Sequence, residues 1–135
     1  MAEIKLVIGT KDGKSIQKVI LEENTRAIFG KKIGETFEGA ITGISGVEDY
    51  VFKITGGSDS SGFPMRKDIE GVPKKKILSK KSIGLRLKRK GLRIKKTVAG
   101  NHVHEKTAQI NVKVEKAGNV ALETTKEQKS EEKTK

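Results

Sequence analysis

Positively charged side chains that could bind phosphate groups are concentrated in one segment of this chain. Between Arg66 and Lys96 there are 14 lysines or arginines and only two acids, Asp68 and Glu70. The remaining residues carry 15 basic and 15 acidic side chains, so this segment holds the entire formal charge of +12. Such an excess favours a polyanionic partner, because like charges at this density repel one another and destabilise a fold. The alternative is a solvated, charge-rich strand pair that serves solubility.

We predict that this segment contacts the phosphates of a structured RNA. Side chains on one face of a strand repeat about every 6.6–7 Å, so successive cations can reach phosphates along one nucleic-acid strand or across a groove. All five aromatic residues precede residue 64, which disfavours stacking of unpaired bases on the basic segment and favours recognition of backbone and shape. The predicted RNA-binding residues are Arg66, Lys67, Lys74, Lys75, Lys76, Lys80, Lys81, Arg86, Lys88, Arg89, Lys90, Arg93, Lys95 and Lys96.

A loop rich in glycine and serine is predicted from Gly56 to Met65. Its glycines could let the backbone approach RNA closely, or they could permit positive-φ turns while Phe63 and Met65 enter the core. The sequence leaves both interpretations open, although Asp59 among its serines is most simply a turn-capping residue. It is not a nucleotide-binding loop, since no Lys followed by Ser or Thr comes after its last glycine. The candidate residues for a close approach to RNA are Gly56, Gly57, Ser58, Asp59 and Gly62.

No residue pattern indicates catalysis, a metal or a cofactor. His102, His104 and Glu105 are close in sequence, and the two histidines could share a strand face, but two imidazoles without a third convergent ligand are weak evidence for a metal site. The chain has no cysteine, which excludes disulfides and thiolate ligands. An enzyme would need several convergent titratable groups near the glycine-rich loop, where Asp59 stands alone. We therefore predict a non-enzymatic protein with no cofactor, no metal and no small-molecule substrate.

The elements that position these residues are predicted to be strands. Apolar and polar residues alternate with the period of half-buried strands in several stretches. Glycines recur at short intervals between Gly34 and Gly57, which suits strands that bend sharply. We predict an all-β fold, a small closed or partly open β-barrel. The predicted strands occupy residues 3–9, 15–21, 50–55 and 108–114, with an early hairpin turn at residues 10–13 and a helical turn within residues 25–29.

The basic segment repeats this alternation and predicts a hairpin that protrudes from the barrel. Its turn is placed at Arg89–Gly91. One face of the hairpin would be apolar and the other cationic. The predicted apolar face consists of Ile83, Leu85, Leu87, Leu92 and Ile94, and the cationic face of Arg86, Lys88, Arg93 and Lys95.

The length of 135 residues and the hydrophobic content of 33% allow one core but hardly two. We expect one domain over residues 1–115 and a polar, disordered tail over residues 116–135, because that tail has almost nothing to bury. No apolar run approaches the roughly 20 residues that span a bilayer, and the N-terminus lacks the layout of an export signal. A cytoplasmic protein without membrane contact is therefore expected.

The stretch ITGGSDSSGFPM, Ile54 to Met65, resembles the small-subunit ribosomal protein of the sixth e-type family, which archaea and eukaryotes share. That family has the same glycine pair, acidic residue and G-F-P-M run, followed by a basic stretch that corresponds here to Leu78–Asn101. The strand Gln109–Lys116 and the glycine after it also correspond, so the resemblance covers about residues 3–122. It implies a small β-barrel at the periphery of the small subunit, held on ribosomal RNA by basic loops and strands among neighbouring ribosomal proteins.

The chain departs from the family pattern in two places. Ala99 stands where members often have arginine beside a valine-glycine pair, so one phosphate contact is expected to be lost. Eukaryotic members extend into a long basic helix with phosphorylated serines, which residues 116–135 do not match, and the short length favours an archaeal form. We interpret the chain as a structural ribosomal component. On composition alone, a freestanding nucleic-acid-binding regulator or chromatin-type protein stays open.

Overall fold

The computed structural model describes residues 3–119, which form seven strands and two short helical turns. The prediction of a mainly β fold is confirmed. The strands are β1 (Ile4–Gly9), β2 (Ser15–Ile20), β3 (Thr36–Glu38), β4 (Val51–Asp59), β5 (Lys75–Ser79), β6 (Ile94–Val98) and β7 (Thr107–Lys116), and the helical turns are α1 (Glu22–Thr25) and a 3-10 turn (Gly39–Thr42).

The first two strands form the predicted hairpin. Ile4 pairs with Ile20 and Gly9 with Ser15, and the apolar face of β1 is completely buried. Gly13 closes the turn at φ +84°, a conformation in which its missing Cβ avoids a steric penalty. The helical turn comes earlier than predicted, directly after β2, because the acidic residues that begin α1 stabilise a helix N-terminus.

The main sheet has the strand order β2-β1-β7-β4-β3. The last strand, β7, lies in its centre, parallel to β1 and antiparallel to β4. Ile110, Val112 and Val114 of β7 are buried, as the alternation predicted. A closed barrel is not confirmed, since β2 and β3 are the two edges of this sheet within the described residues.

One hydrophobic core lies on the inner face of the sheet, and all five strands contribute to it. Phe52 of β4 is at its centre, with its ring centroid 5.8 Å from Phe37 and 5.9 Å from Tyr50. Met65 and Ala99 belong to the same core and form a β-bridge with each other. Both ends of the basic segment are therefore anchored in the core.

The basic hairpin is present, but its predicted strands are wrong. A separate two-stranded sheet, here called the ribbon, pairs β5 with β6 so that Lys75 lies opposite Val98 and Ser79 opposite Ile94. Residues 80–93, here called the tip segment, form turns where the sequence predicted strands. Gly84 and Gly91 take positive φ values of 84° and 79°, which breaks an extended strand at both positions.

The predicted apolar face of the hairpin also does not form. Leu85 is buried, whereas Ile83 and Ile94 are 64% and 42% exposed. Regular alternation predicts a buried face only when another layer covers it, and the ribbon leaves most of its side chains in solvent.

Residues 120–135 lie outside the described part of the chain, so the predicted tail over residues 116–135 stays a prediction. The last strand, β7, ends at Lys116. Within residues 3–119, no helix is long and apolar enough to cross a membrane.

Candidate nucleic-acid interface

Arg66 fixes the position of the tip segment. Its Nε and Nη2 donate to the two carboxylate oxygens of Asp68, at 3.0 and 2.7 Å, and its Nη1 donates to Ser82 Oγ at 2.7 Å and to the Ile83 carbonyl at 3.3 Å. The paired hydrogen bonds from Arg66 lower the pKa of the Asp68 carboxyl, and the same contact raises the pKa of Arg66. Arg66 is 9% exposed. Its hydrogen-bond donors face protein groups in this structure, and its role as an RNA contact stays a prediction.

Lys74 also binds protein groups, although 35% of its side chain is exposed. Its Nζ lies 3.2 Å from Oδ2 of the buried Asp59, donates to Ser61 Oγ at 3.0 Å and sits 5.0 Å from the centre of the Phe63 ring. A buried carboxylate needs such a partner, because burial of an unpaired charge is costly. Asp59 Oδ1 accepts the backbone N–H groups of Ser61 and Phe63, both at 2.9 Å, which confirms its turn-capping role.

The predicted loop over residues 56–65 is in part a strand. Gly56, Gly57, Ser58 and Asp59 belong to β4 and pair with β7, and the chain turns only after them. A Cβ atom at Gly57 would lie 2.4 Å from the carbonyl oxygen of Gln109, so glycine permits the close approach of β4 and β7. At Gly56, by contrast, no atom lies within 4 Å of such a Cβ.

The turn itself follows Asp59 and uses its remaining glycine. Gly62 takes φ +84°, which an L-amino acid adopts at a steric cost. Met65 is buried in the core, and Phe63 is half-buried beneath Lys74. These contacts support the structural interpretation of Gly57, Asp59 and Gly62.

The ribbon carries lysines on both faces. Because paired residues point to the same side of an antiparallel sheet, Lys76 and Lys95 share one face with Leu78, while Lys75 and Lys96 share the other with Val98. The second face is partly covered, since Gly84 of the tip segment packs against the side chains of Val98 and Pro64. The first face is open to solvent, and Leu78 there is 58% exposed.

The tip segment carries most of the remaining cations. Five of them border a cleft of about 450 Å³ whose lining consists of Lys80, Lys81, Leu87, Lys88, Arg89, Lys90, Gly91 and Leu92. No acidic residue occurs between Glu70 and Glu105, so nothing within this stretch offsets the positive charge. The predicted RNA-binding residues at exposed positions, apart from the engaged Lys74, are Lys67, Lys75, Lys76, Lys80, Lys81, Arg86, Lys88, Arg89, Lys90, Arg93, Lys95 and Lys96.

Sequence reasoning missed the residues that hold this surface in place. Ser82 and Asp68 are the partners of Arg66, and Pro64 is the partner of Gly84. Arg66 and Asp68 are two residues apart, and this spacing could have predicted their ion pair from the sequence. The contact between Arg66 and Ser82 spans 16 residues and has no local signature.

His102 and His104 do not lie in a strand, contrary to the prediction that they could share a strand face. His104 Nδ1 accepts the backbone N–H of Lys106 at 3.1 Å, and burial lowers the pKa of this imidazole. No group of three or more potential metal ligands converges within residues 3–119.

Comparisons with known proteins agree on one family. The family described as ribosomal protein S6e matches residues 4–127. Three archaeal proteins named small ribosomal subunit protein eS6 are similar to this chain over 85% or more of their own length. The protein of Archaeoglobus fulgidus is 41% identical over 96% of this chain and 99% of its own. The protein of Methanocaldococcus jannaschii is 44% identical over 87% of this chain and 85% of its own.

The third relative, from Nitrosopumilus maritimus, is 37% identical over 98% of both chains. The matched region covers both the five-stranded sheet and the ribbon with its tip segment. On this evidence, the chain belongs to the ribosomal protein S6e family.

Proposed function

We propose that this protein is a structural constituent of the small ribosomal subunit that binds ribosomal RNA through the ribbon and the tip segment. It acts without catalysis, in the cytoplasm, next to other ribosomal proteins. The family and the names of its archaeal members support the ribosomal role. The alternative of a freestanding regulator or chromatin-type protein has no comparable support.

The observation that carries the RNA-binding part of the proposal is the exposed, acid-free cationic surface of the ribbon and tip segment. Eleven predicted contact residues are at exposed positions there, whereas Arg66 and Lys74 bind protein groups. Lysines and arginines on phosphates position a protein on RNA without reading its sequence. The position of the protein on the RNA therefore depends on the shape of the folded RNA and not on its base sequence.

The five-stranded sheet is the support for this surface. We propose that it curves as a partly open barrel, which agrees with a single core to which all five strands contribute side chains. Residues 1–115 would then form the RNA-binding domain and residues 116–135 a separate tail. Met65 and Ala99 join the domain to the basic segment at both ends.

The experiment that tests the proposal is co-sedimentation with small subunits at increasing salt. If about 6–10 phosphates are neutralised, affinity should fall by about three to five orders of magnitude between 50 and 200 mM salt. A variant with glutamine at six basic positions should lose co-sedimentation at physiological salt. The six positions are Arg86, Lys88, Arg89, Lys90, Arg93 and Lys95.

A matched control replaces six exposed cations outside the basic segment and should sediment nearly as the native protein does, because it keeps the ribbon and tip segment intact. The control positions are Lys5, Lys11, Lys14, Arg26, Lys113 and Lys116. Equal losses in both variants would mean that net charge alone governs association. Unchanged sedimentation of the first variant would contradict the proposed interface.

A further inference from the structure

The cleft in the tip segment lies next to contacts that hold this segment in one conformation. Binding of phosphates by exposed lysines and arginines does not need such contacts. Ser82, which follows the lining residue Lys81, accepts a hydrogen bond from Arg66 and lies 3.1 Å from Ser79 Oγ. Gly84 then packs on Pro64, and Gly91 turns the chain back toward β6. Lys80 and Lys81 line the cleft together with residues 87–92.

The cleft combines cations with apolar side chains. Lys80, Lys81, Lys88, Arg89 and Lys90 supply five positive charges, and the half-buried Leu87 and Leu92 supply apolar surface. Inorganic phosphate would use only the charges. A ligand that uses both carries an anionic group and an apolar part, as a nucleotide does with its phosphate and its base.

The size of the cleft also favours a small organic ligand. A volume of about 450 Å³ lies within the range of roughly 300–1,000 Å³ that is typical of sites for small organic ligands. A paired base in a continuous A-form helix cannot enter such a cleft, because its base is held in the stack. A nucleotide that bulges out of a helix presents its base, its ribose and two flanking phosphates together.

We propose that this cleft binds a single unpaired nucleotide that bulges from a double-stranded segment of RNA. The base and ribose pack on Leu87 and Leu92, and the flanking phosphates contact the surrounding lysines and Arg89. The leucines take the place of the aromatic rings that commonly contact unpaired bases. This inference rests on the proposed RNA-binding function and adds the class of RNA structure that the tip segment selects.

The test measures binding of the full-length protein to two RNA hairpins with the same stem, one fully paired and one with a single-nucleotide bulge. The bulged RNA should bind about tenfold more tightly, the ratio expected if roughly 50 Å² of apolar surface is buried. A double variant, Leu87→Ser with Leu92→Ser, should lose this preference and keep its affinity for the paired hairpin, because all cations remain. Its melting temperature should stay near that of the native protein, since neither leucine belongs to the main core.

Leu78→Ser is the matched control, because Leu78 is an exposed leucine of the ribbon outside the cleft lining. This variant should retain the preference for the bulged RNA. Equal affinity of the native protein for the two hairpins would overturn the inference and leave the proposed function standing. Absence of salt-dependent binding to either hairpin would overturn both. Tighter binding of free adenosine monophosphate than of the bulged RNA would assign the cleft to a free nucleotide and likewise overturn the inference.

Discussion

The side chains of Arg66 and Ser82 are joined by a hydrogen bond of 2.7 Å between Nη1 and Oγ, across 16 residues of chain. Arg66 directly follows the buried Met65, and Ser82 lies in the tip segment. The hydrogen bond therefore connects the cationic surface to the core. Asp68 holds the guanidinium in the required orientation through two further hydrogen bonds.

Arg66→Lys should weaken RNA binding although it preserves the charge. An ammonium group cannot bind the Asp68 carboxylate in a bidentate manner and also reach Ser82 and Ile83. We expect the free energy of unfolding to fall by about 1–2 kcal/mol, because hydrogen bonds to a charged group contribute about 1.5–3 kcal/mol and solvent weakens the pair with Asp68, whose side chain is 63% exposed. RNA affinity should fall with it. Thermal unfolding and RNA titration measure the two effects. Arg86→Lys, at an exposed position of the tip segment, is the control and should change neither by a comparable amount.

Gly57→Ala should destabilise the main sheet, whereas Gly56→Ala should not. The new Cβ at position 57 would meet the carbonyl oxygen of Gln109, and the strands would have to separate. Overpacking of this kind typically costs about 1–3 kcal/mol. Chemical denaturation of both variants measures the difference. If Gly56→Ala were stable but bound RNA poorly, this stretch would contact RNA directly. Equal stability of the two variants would contradict the structural interpretation.

Protonation of His104 should destabilise the fold in mildly acidic solution. Burial lowers the pKa of this imidazole in the native protein, so the unfolded chain binds its proton first as the pH falls. The contribution to stability is complete above the unfolded pKa, near 6.5, and decreases as the pH falls from there toward the lower native pKa. His104→Asn, which keeps an acceptor for the Lys106 amide, should flatten this part of the stability curve. If stability depended on pH in the same way in the native protein and in His104→Asn between pH 7.5 and 5, His104 would not be the titrating group.

Removal of residues 123–135 should leave the stability of the fold nearly unchanged. Every buried apolar side chain in the described part of the chain lies between Ile4 and Val114. We expect a change in melting temperature below about 3 °C, as for changes outside a core. Calorimetry of the truncated and full-length proteins measures it. A larger fall would mean that this segment contributes to the folded domain.

Features that depend on neighbouring residues were predictable from the sequence. The hairpin of β1 and β2 and the buried faces of β4 and β7 follow from alternation over a few residues, because one side of each strand faces the core. The concentration of charge in the basic segment is a property of the sequence itself. The G-F-P-M motif with its basic sequel was specific enough to indicate the family, which the comparisons confirm.

The ribbon was misplaced for a physical reason. Consecutive lysines put cations on both faces of the ribbon, so apolar and polar residues do not alternate there. These lysines are Lys75 and Lys76 in β5 and Lys95 and Lys96 in β6. Alternation arises only where one face is buried, and both faces of the ribbon reach solvent over most of their length. The alternating residues 83–88 instead form turns around Gly84.

The sequence alone determined that this protein is a mainly β chain with its excess of cations in one segment, because composition and short-range alternation do not depend on long-range contacts. Only the tertiary structure decided that β7 enters between β1 and β4, that Arg66 and Lys74 bind other side chains of the protein, and that five cations border one cleft. Such contacts join residues far apart in the chain. Their geometry follows from packing of the whole domain, which no local pattern encodes.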